Sequence, residues 1–136
     1  MKDMLMQIYN SLLENSAIKT SVYDVTSKKH NIMFYDTPDG KLPDTFILIR
    51  PMRPPQAAVE GSDQILGTDL RYQIDVQSMG RMNCKNLQHE IIEQMESLGF
   101  SRMTGSENEL DDYFSDTKHY IDARRFVYKK IYDNDY

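Results

Sequence analysis

Residues 69–100 read DLRYQIDVQSMGRMNCKNLQHEIIEQMESLGF, and the spacing of their apolar residues changes at Gly80. Before this glycine, apolar and polar side chains alternate with the two-residue period of a strand that has one buried face. Asp75 and Gln77 fall on the polar side of this period, so we expect both side chains to face solvent. The sequence therefore predicts a half-buried strand over 69–79.

After this glycine, the sequence changes to the spacing of an amphipathic helix. Asn83 can cap the first turn, and apolar residues then recur every three or four positions as far as Leu98. Gly99 suits the left-handed residue that follows a helix, and Phe100 can then pack back on Met95. We therefore expect a helix that ends in a glycine cap and packs against the preceding strand.

The flanking sequence adds one more helix and further strands. Asp3 can cap a first helix that ends near Glu14. Other segments have the apolar, β-branched or aromatic content of strands. These segments are 18–23, 32–35, 46–49, 100–104 and 119–132. The order of the elements predicts an α+β domain with one mixed or antiparallel sheet flanked by two helices.

Two segments between these elements are predicted to be loops within a single domain over 1–136. Residues 50–67 contain several prolines and glycines, and Pro51 is expected to end the strand before it. A loop of this length in a small domain is usually functional or disordered, so we interpret it as an arm. Residues 105–118 are rich in acidic side chains and are interpreted as a solvated acidic loop.

The formal net charge of -5 comes from one part of the chain. Six acidic residues and one lysine lie between 105 and 122, and the rest of the chain holds fifteen acidic and fifteen basic residues. A general nucleic-acid binder needs a basic face that displaces counterions from phosphates, so this distribution argues against that class. Only 40% of the residues are hydrophobic, so we expect a thin core or one that a partner completes.

Composition also bears on compartment and cofactors. No apolar run approaches the ~18 residues of a membrane span, and the first residues lack a signal-peptide pattern, so no membrane contact is expected. The single cysteine, Cys84, fits synthesis in a reducing cytoplasm and is interpreted as a packing residue. The histidines at 30, 89 and 119 lack the spacing of a helical metal pair. No metal or cofactor is therefore expected.

Three short strings, taken in order, resemble a known family. They are YQIDVQ at 72–77 with Ser62-Asp63 before it, the helix end LGF at 98–100, and YIDARRF at 120–126. This pattern, over about 44–131, resembles the tail completion, tail terminator and head–tail joining proteins of long-tailed (siphovirus) bacteriophages and prophages. That family has no catalytic signature, so no catalytic residue is carried over to this chain.

The resemblance implies a structural role without enzymatic activity. Such proteins form rings, commonly hexamers, that cap the tail tube and join it to the head connector. The expected partners are further copies of the chain, the tail tube protein and the connector protein, while DNA only passes through. The chain would assemble in the host cytoplasm and then reside in the virion.

Two groups of charged side chains are candidates for contacts within such a ring. Arginines of the 50–67 arm and of the basic last strand are expected at the subunit interface, because basic residues of that strand suit a sheet edge or a subunit contact. Acidic residues are expected to face the lumen or a partner, since negative charge would keep passing DNA from sticking. The arginines are Arg50, Arg53, Arg124 and Arg125, and the acidic residues are Glu107, Glu109, Asp111 and Asp112.

Two other activities remain open from the sequence. Asp116 and Lys118 have the Asp-x-Lys pattern of a small magnesium-dependent nuclease, with Asp44 as a distal acid. The acidic segment could instead mimic DNA on a compact monomer that inhibits a basic partner protein. Alanine at 116 or 118 would abolish activity in a nuclease and leave a joining protein unaffected.

Overall fold

The computed structural model describes residues 3–37, 40–52 and 70–128, in which three helices pack on one face of a six-stranded sheet. This confirms the α+β class, with one helix more than the sequence predicted. The helices are α1 (Met4–Glu14), α2 (Ser16–Val22) and α3 (Arg81–Ser97). The strands are β1 (Tyr23–Asp24), β2 (Lys29–His30), β3 (Ile32–Phe34), β4 (Thr45–Met52), β5 (Leu70–Ser78), β6 (Ser101–Arg102), β7 (Glu109–Phe114) and β8 (His119–Tyr128).

The large sheet has the strand order β3-β4-β5-β8, and both β6 and β7 pair with the outer side of β8. β3 runs parallel to β4 and every other pair is antiparallel, so the sheet is mixed. β1 and β2 form a separate hairpin. The expectation that the basic last strand lies at a sheet edge is wrong, because β8 has neighbours on both sides.

The pairing register divides the sheet residues between two faces. We call the face that carries the helices the helix face and the opposite face the far face. The helix face includes Ile47, Ile49, Ile74, Val76, Asp122, Arg124, Glu109 and Asp111. The far face includes Leu48, Arg50, Gln73, Asp75, Ala123, Arg125, Leu110 and Asp112.

The main hydrophobic core lies between the helices and the helix face. Its most deeply buried members are Ile8, Leu12, Ile18, Ile47, Ile49, Ile74, Val76, Ile91, Met95 and Phe126. Phe46 and Leu48 are also fully buried, although they lie on the far face. Both faces of β4 are therefore buried, as the continuous apolar run at 46–49 predicted.

The segment expected to form a strand at 18–23 is mostly helix α2. The side-chain oxygen of Asn15 accepts hydrogen bonds from the amides of Ala17 and Ile18 at 2.9 and 3.1 Å, so it caps α2 immediately after α1 ends. Ile18 and Val22 lie one helical turn apart and both are buried. The cap and this spacing outweigh the β-branched content that favoured a strand.

Three expectations about β4, β5 and α3 are wrong in detail. β4 continues through Pro51 to Met52, which pairs with Arg71, because a proline removes only one donor from the ladder. β5 is buried on both faces, so Asp75 and the next far-face residue do not face solvent. α3 begins at Arg81 with Gly80 as its N-cap residue, and Asn83 lies inside the helix.

The end of α3 is the glycine cap that the sequence predicted. The amide of Phe100 donates to the Met95 carbonyl oxygen and the amide of Gly99 to that of Glu96, both at 3.0 Å. Gly99 has φ +102°, and a Cβ there would lie 3.0 Å from the ring of Tyr128. Conformation and space both favour glycine at this position.

The two predicted loops have different outcomes. The acidic segment 105–118 is not a loop: it contains a 3-10 turn at Ser106–Asn108, strand β7 and the turn before β8. β7 forms because its six residues pair along β8 and two of its acidic side chains meet basic residues on the helix face. Residues 50–52 of the predicted arm belong to β4, and the rest of that arm lies outside the described residues.

Candidate functional site

A cluster of five charged side chains on the helix face joins α3, β8 and β7. We call it the lysine cluster, and it consists of Lys85, Glu109, Asp111, Asp122 and Arg124. Lys85 Nζ lies 2.7 Å from Asp122 Oδ2 and 2.6 Å from Asp111 Oδ2. Arg124 Nε donates to Asp122 Oδ1 at 2.9 Å, and Arg124 Nη1 lies 3.2 Å from Glu109 Oε1. Two acidic residues of β7 are therefore fastened to the domain by basic residues.

Asp122 is the buried centre of the lysine cluster, with a side chain only 1% exposed. Burial raises the pKa of this carboxyl, but hydrogen bonds from Arg124 and Lys85 outweigh burial, and the pKa lies below its usual value. The same carboxylates raise the pKa of Lys85 against the opposing effect of burial. Both partners therefore stay charged at neutral pH.

Two uncharged side chains of α3 extend this contact into the sheet. Gln88 Nε2 donates to the Asp122 carbonyl oxygen at 2.7 Å and to the Ile74 carbonyl oxygen at 3.2 Å. Cys84 Sγ lies 3.2 Å from the Val76 carbonyl oxygen, and burial raises the pKa of the thiol to about 12. A thiol with this pKa stays protonated, which suits the packing role expected for Cys84.

A second polar group, the far-face cluster, consists of Arg50, Gln73, Asp75 and Arg125. Gln73 Nε2 donates to Asp75 Oδ1 at 2.8 Å, and Gln73 Oε1 accepts from Arg125 Nε at 3.1 Å. Arg50 Nη2 lies 3.6 Å from Asp75 Oδ2. The cluster links β4, β5 and β8 across the far face.

The two buried aspartates differ in the direction of their pKa shifts. Asp75 is 2% exposed, and burial raises its pKa because the hydrogen bond from Gln73 and the charges of Arg50 and Arg125 compensate only in part. Asp122 receives short hydrogen bonds from two cations and is shifted downward. Ionised Asp75 therefore costs folding free energy, whereas ionised Asp122 stabilises the fold.

The four arginines predicted at an interface are not brought together. Arg50 and Arg125 are linked through Asp75 and Gln73 on the far face, whereas Arg124 belongs to the lysine cluster on the helix face. Arg53 lies outside the described residues. The arginine prediction therefore splits between the two faces of the sheet.

The four acidic residues are also divided by the structure. Glu109 and Asp111 form ion pairs on the helix face, whereas Asp112 lies on the far-face side of β7. Glu107 is exposed in the 3-10 turn, and within the described part of the chain neither Glu107 nor Asp112 forms an ion pair. These four side chains therefore do not form one continuous acidic surface.

Sequence reasoning missed Lys85 and Asp75 as site residues. Lys85 directly follows the buried Cys84 and so borders the buried stripe of α3. Asp75 lies between the buried Ile74 and Val76 in a strand that the sequence predicts to have one polar, exposed face. Two signals could have identified these residues. One is an aspartate between apolar strand residues, and the other is a lysine next to the buried side of a helix.

β7 presents its outer edge without pairing to any other strand among the described residues. All six of its residues are exposed, and three are apolar or aromatic: Leu110 (42%), Tyr113 (45%) and Phe114 (37%). Tyr113 packs on Tyr120 of β8 with ring centroids 4.7 Å apart. The edge is thus regular, apolar in part and held in place by neighbouring side chains.

The three residues of the nuclease hypothesis, Asp44, Asp116 and Lys118, lie at one end of the sheet. His119 contacts the Pro43 carbonyl oxygen through Nε2 and the Thr117 carbonyl oxygen through Nδ1, each at 2.8 Å, which fastens the β7–β8 turn to the segment before β4. Asp44, Asp116 and Lys118 are all exposed there. In residues 3–37, 40–52 and 70–128, no group of three or more His, Cys, Asp or Glu side chains could hold a metal ion.

Among the described helices, none has both the length and the apolar content needed to cross a membrane. Comparisons of the chain with protein families, with curated proteins and with solved structures found no match.

Proposed function

We propose that this protein is a structural subunit of a long-tailed bacteriophage tail, which forms a ring that completes the tail tube and joins it to the head connector. The proposal starts from the three strings that resemble that family. In the fold, YQIDVQ lies in β5, LGF ends α3 and YIDARRF lies in β8. β5 and β8 are adjacent antiparallel strands, and α3 packs on both, so the strings belong to one packed unit.

The observation that carries the proposal is the edge strand β7. A ring subunit needs surfaces that neighbouring copies bury, and exposed apolar side chains on a regular element are typical of such surfaces. Leu110 and Phe114 point to the far-face side of β7, and Tyr113 points to the helix face. A neighbour that covers this edge would bury apolar area on both sides of the strand.

The ion pairs reduce the number of acidic residues that could repel DNA in the lumen of the ring. Lys85 and Arg124 pair with Asp111 and Glu109 as well as with Asp122, so the lysine cluster holds two cations and three carboxylates and carries one net negative charge. Glu107 and Asp112 are the two that would repel DNA. The alternative function, an inhibitor that mimics DNA, needs a strongly acidic surface. The ion pairs of Glu109 and Asp111 reduce the negative charge of that surface.

Cosedimentation with tail tubes, assembled from the tube protein encoded in the same genome, tests this proposal. We expect the protein to bind the tubes, and we expect Leu110→Ser with Phe114→Ser to reduce binding at least tenfold, because the exposed apolar edge is lost. Met82→Ser is the control, since Met82 is 59% exposed and lies on α3, away from the sheet edges. The control should bind as the wild type does.

Two results would contradict the proposal. One is wild-type protein that stays in the supernatant with tubes at every concentration tested. The other is magnesium-dependent cleavage of DNA that Asp116→Ala or Lys118→Ala abolishes, which would support the nuclease instead.

A further inference from the structure

We infer that β7 of one copy pairs with β3 of the next copy as antiparallel strands, so that the sheets of neighbouring subunits continue into each other. This inference rests on the proposed function, because it specifies which surfaces meet in the ring. β3 and β7 lie at opposite ends of the large sheet, and among the described strands β3 pairs only with β4 and β7 only with β8. Unpaired edge strands are templates for pairing with another chain.

Strand direction makes the two edges compatible. β3 runs parallel to β4, and each of the three steps from β4 through β5 and β8 to β7 is antiparallel. β7 therefore runs opposite to β3. A second copy placed beside the first in the same orientation brings β7 and β3 together as an antiparallel pair. Such a contact joins two different surfaces, as ring closure by rotation requires.

Charge argues against β7 pairing with a second β7. If two copies of β7 paired antiparallel with their helix faces on the same side, the two central registers would place Asp111 opposite Asp111 or Asp112 opposite Asp112. Like charges directly opposite on neighbouring strands are destabilising. Asp112 forms no ion pair among the described residues that would relieve this repulsion. The acids at the centre of β7 thus favour a different strand as the partner.

The hairpin that leads into β3 supplies charge of the opposite sign. Lys28 and Lys29 lie just before β3, and both are exposed. Antiparallel pairing places the residues before β3 next to the end of β7, where Asp112 and Asp116 lie. Opposite charges in this arrangement attract, and they fix the direction and register of the pair.

β7 is also held in place by side chains of its own subunit. Lys85 and Arg124 fix Asp111 and Glu109 on the helix face, and Tyr113 packs on Tyr120. A strand that is already ordered loses less conformational entropy when a neighbour pairs with it. The lysine cluster therefore prepares β7 for the contact, although it lies on the face of the strand and not on its outer edge.

Disulfide cross-linking between copies tests the inference, with Met33→Cys on β3 and Asp112→Cys on β7. Both positions lie on the far face, so they share one face if the sheets continue. The native Cys84 is buried and its thiol pKa is about 12, so it does not compete. When the variant with Met33→Cys is mixed with the variant with Asp112→Cys, we expect a disulfide-linked heterodimer. A chain that carries both substitutions should form a ladder of multimers. Met82→Cys, at a position of α3 that is 59% exposed and lies off the sheet edges, is the control in place of Asp112→Cys, and we expect no product with Met33→Cys.

A charge-reversal pair is the second measurement. In the chain without introduced cysteines, Lys29→Glu should weaken self-association several-fold as measured by light scattering, and adding Asp112→Lys should restore it. Glu96→Lys, a charge reversal of the same size and opposite sign on the exposed side of α3, should have no effect.

The possible results separate this inference from the proposed function. Homodimers from Asp112→Cys alone would overturn the inference, because they would show β7 pairing with itself. Tail-tube binding without any cross-link between β3 and β7 would also overturn it and leave the proposed function standing. Specific cross-linking without tail-tube binding would support the edge contact and contradict the tail function. If neither the cross-link nor tail-tube binding were observed, the edge contact and the proposed function would both be contradicted.

Discussion

Replacing Asp122 with asparagine is expected to lower the free energy of unfolding at pH 7 by about 2–3 kcal/mol. The side chain is 1% exposed and receives hydrogen bonds from Lys85 and Arg124 at 2.7 and 2.9 Å. Asparagine is nearly the same size but neutral, so Lys85 and Arg124 lose their buried partner and keep only the more exposed carboxylates of Asp111 and Glu109. Urea denaturation followed by circular dichroism measures this difference.

Asp111→Asn is the matched control for this prediction. Asp111 binds the same Lys85 nitrogen at a similar distance, 2.6 Å, but its side chain is 56% exposed. Because water screens an exposed pair, we expect a loss of less than about 1 kcal/mol. Equal losses in the two variants would contradict the view that burial of Asp122 makes the lysine cluster important.

Acid should erase the effect of the Asp122 substitution. The folded-state pKa of Asp122 lies below the reference value of 3.8, so ionised Asp122 contributes stability above that pH. This contribution is lost as the pH falls through the folded-state pKa. The stability difference between the wild type and Asp122→Asn should therefore be constant from pH 5 to 7 and shrink below about pH 4. A difference that stays constant down to pH 2 would contradict this assignment.

Asp75→Asn is expected to have the opposite sign and to raise the free energy of unfolding at pH 7 by roughly 1 kcal/mol. Burial raises the pKa of Asp75 above 3.8, so the ionised carboxylate is destabilised in the folded protein. Asparagine keeps an oxygen that can accept from Gln73 Nε2 and removes the buried charge. The cost is the pair with Arg50, which is long at 3.6 Å and whose arginine side chain is 45% exposed.

The effect of Asp75→Asn on the free energy of unfolding also depends on pH in the opposite direction to that of Asp122→Asn. A group whose folded-state pKa is raised contributes stability below its unfolded-state pKa and loses it as the pH rises through the folded-state pKa. The advantage of Asp75→Asn should therefore be absent near pH 3 and grow as the pH rises above about 4. Denaturation curves at several pH values measure it, and a variant less stable than the wild type at pH 7 would show that the far-face cluster needs the charge.

Local patterns in the sequence predicted most elements of the sheet and the glycine end of α3. The apolar run at 46–49 and the alternation around Ile74 gave strands in the right places, because backbone period depends on neighbouring residues alone. The same alternation could not show that Asp75 is buried, since burial on the far face depends on the rest of the fold. α2 was missed because Asn15 ends one helix and caps the next.

The lysine cluster was beyond local reasoning for a related reason. Glu109 and Asp111 looked like parts of a solvated loop, because acidic residues are poor strand formers and their local neighbours are also acidic. They lie in a strand because Lys85 and Arg124, distant in sequence, compensate their charges. A pattern of residues within one segment carries no information about a cation that another segment supplies.

The position of β8 between β5 on one side and β6 and β7 on the other has a consequence for the order in which the chain folds. β6 and β7 precede β8 in the chain, yet within the described residues each finds its pairing partner only in β8. During synthesis, the β4–β5 pair and α3 can form early, whereas residues 101–114 must wait until β8 has left the ribosome. An emerging chain that stopped before residue 119 would carry β7 as an unpaired acidic segment, whose charge would help keep it soluble until the sheet is completed.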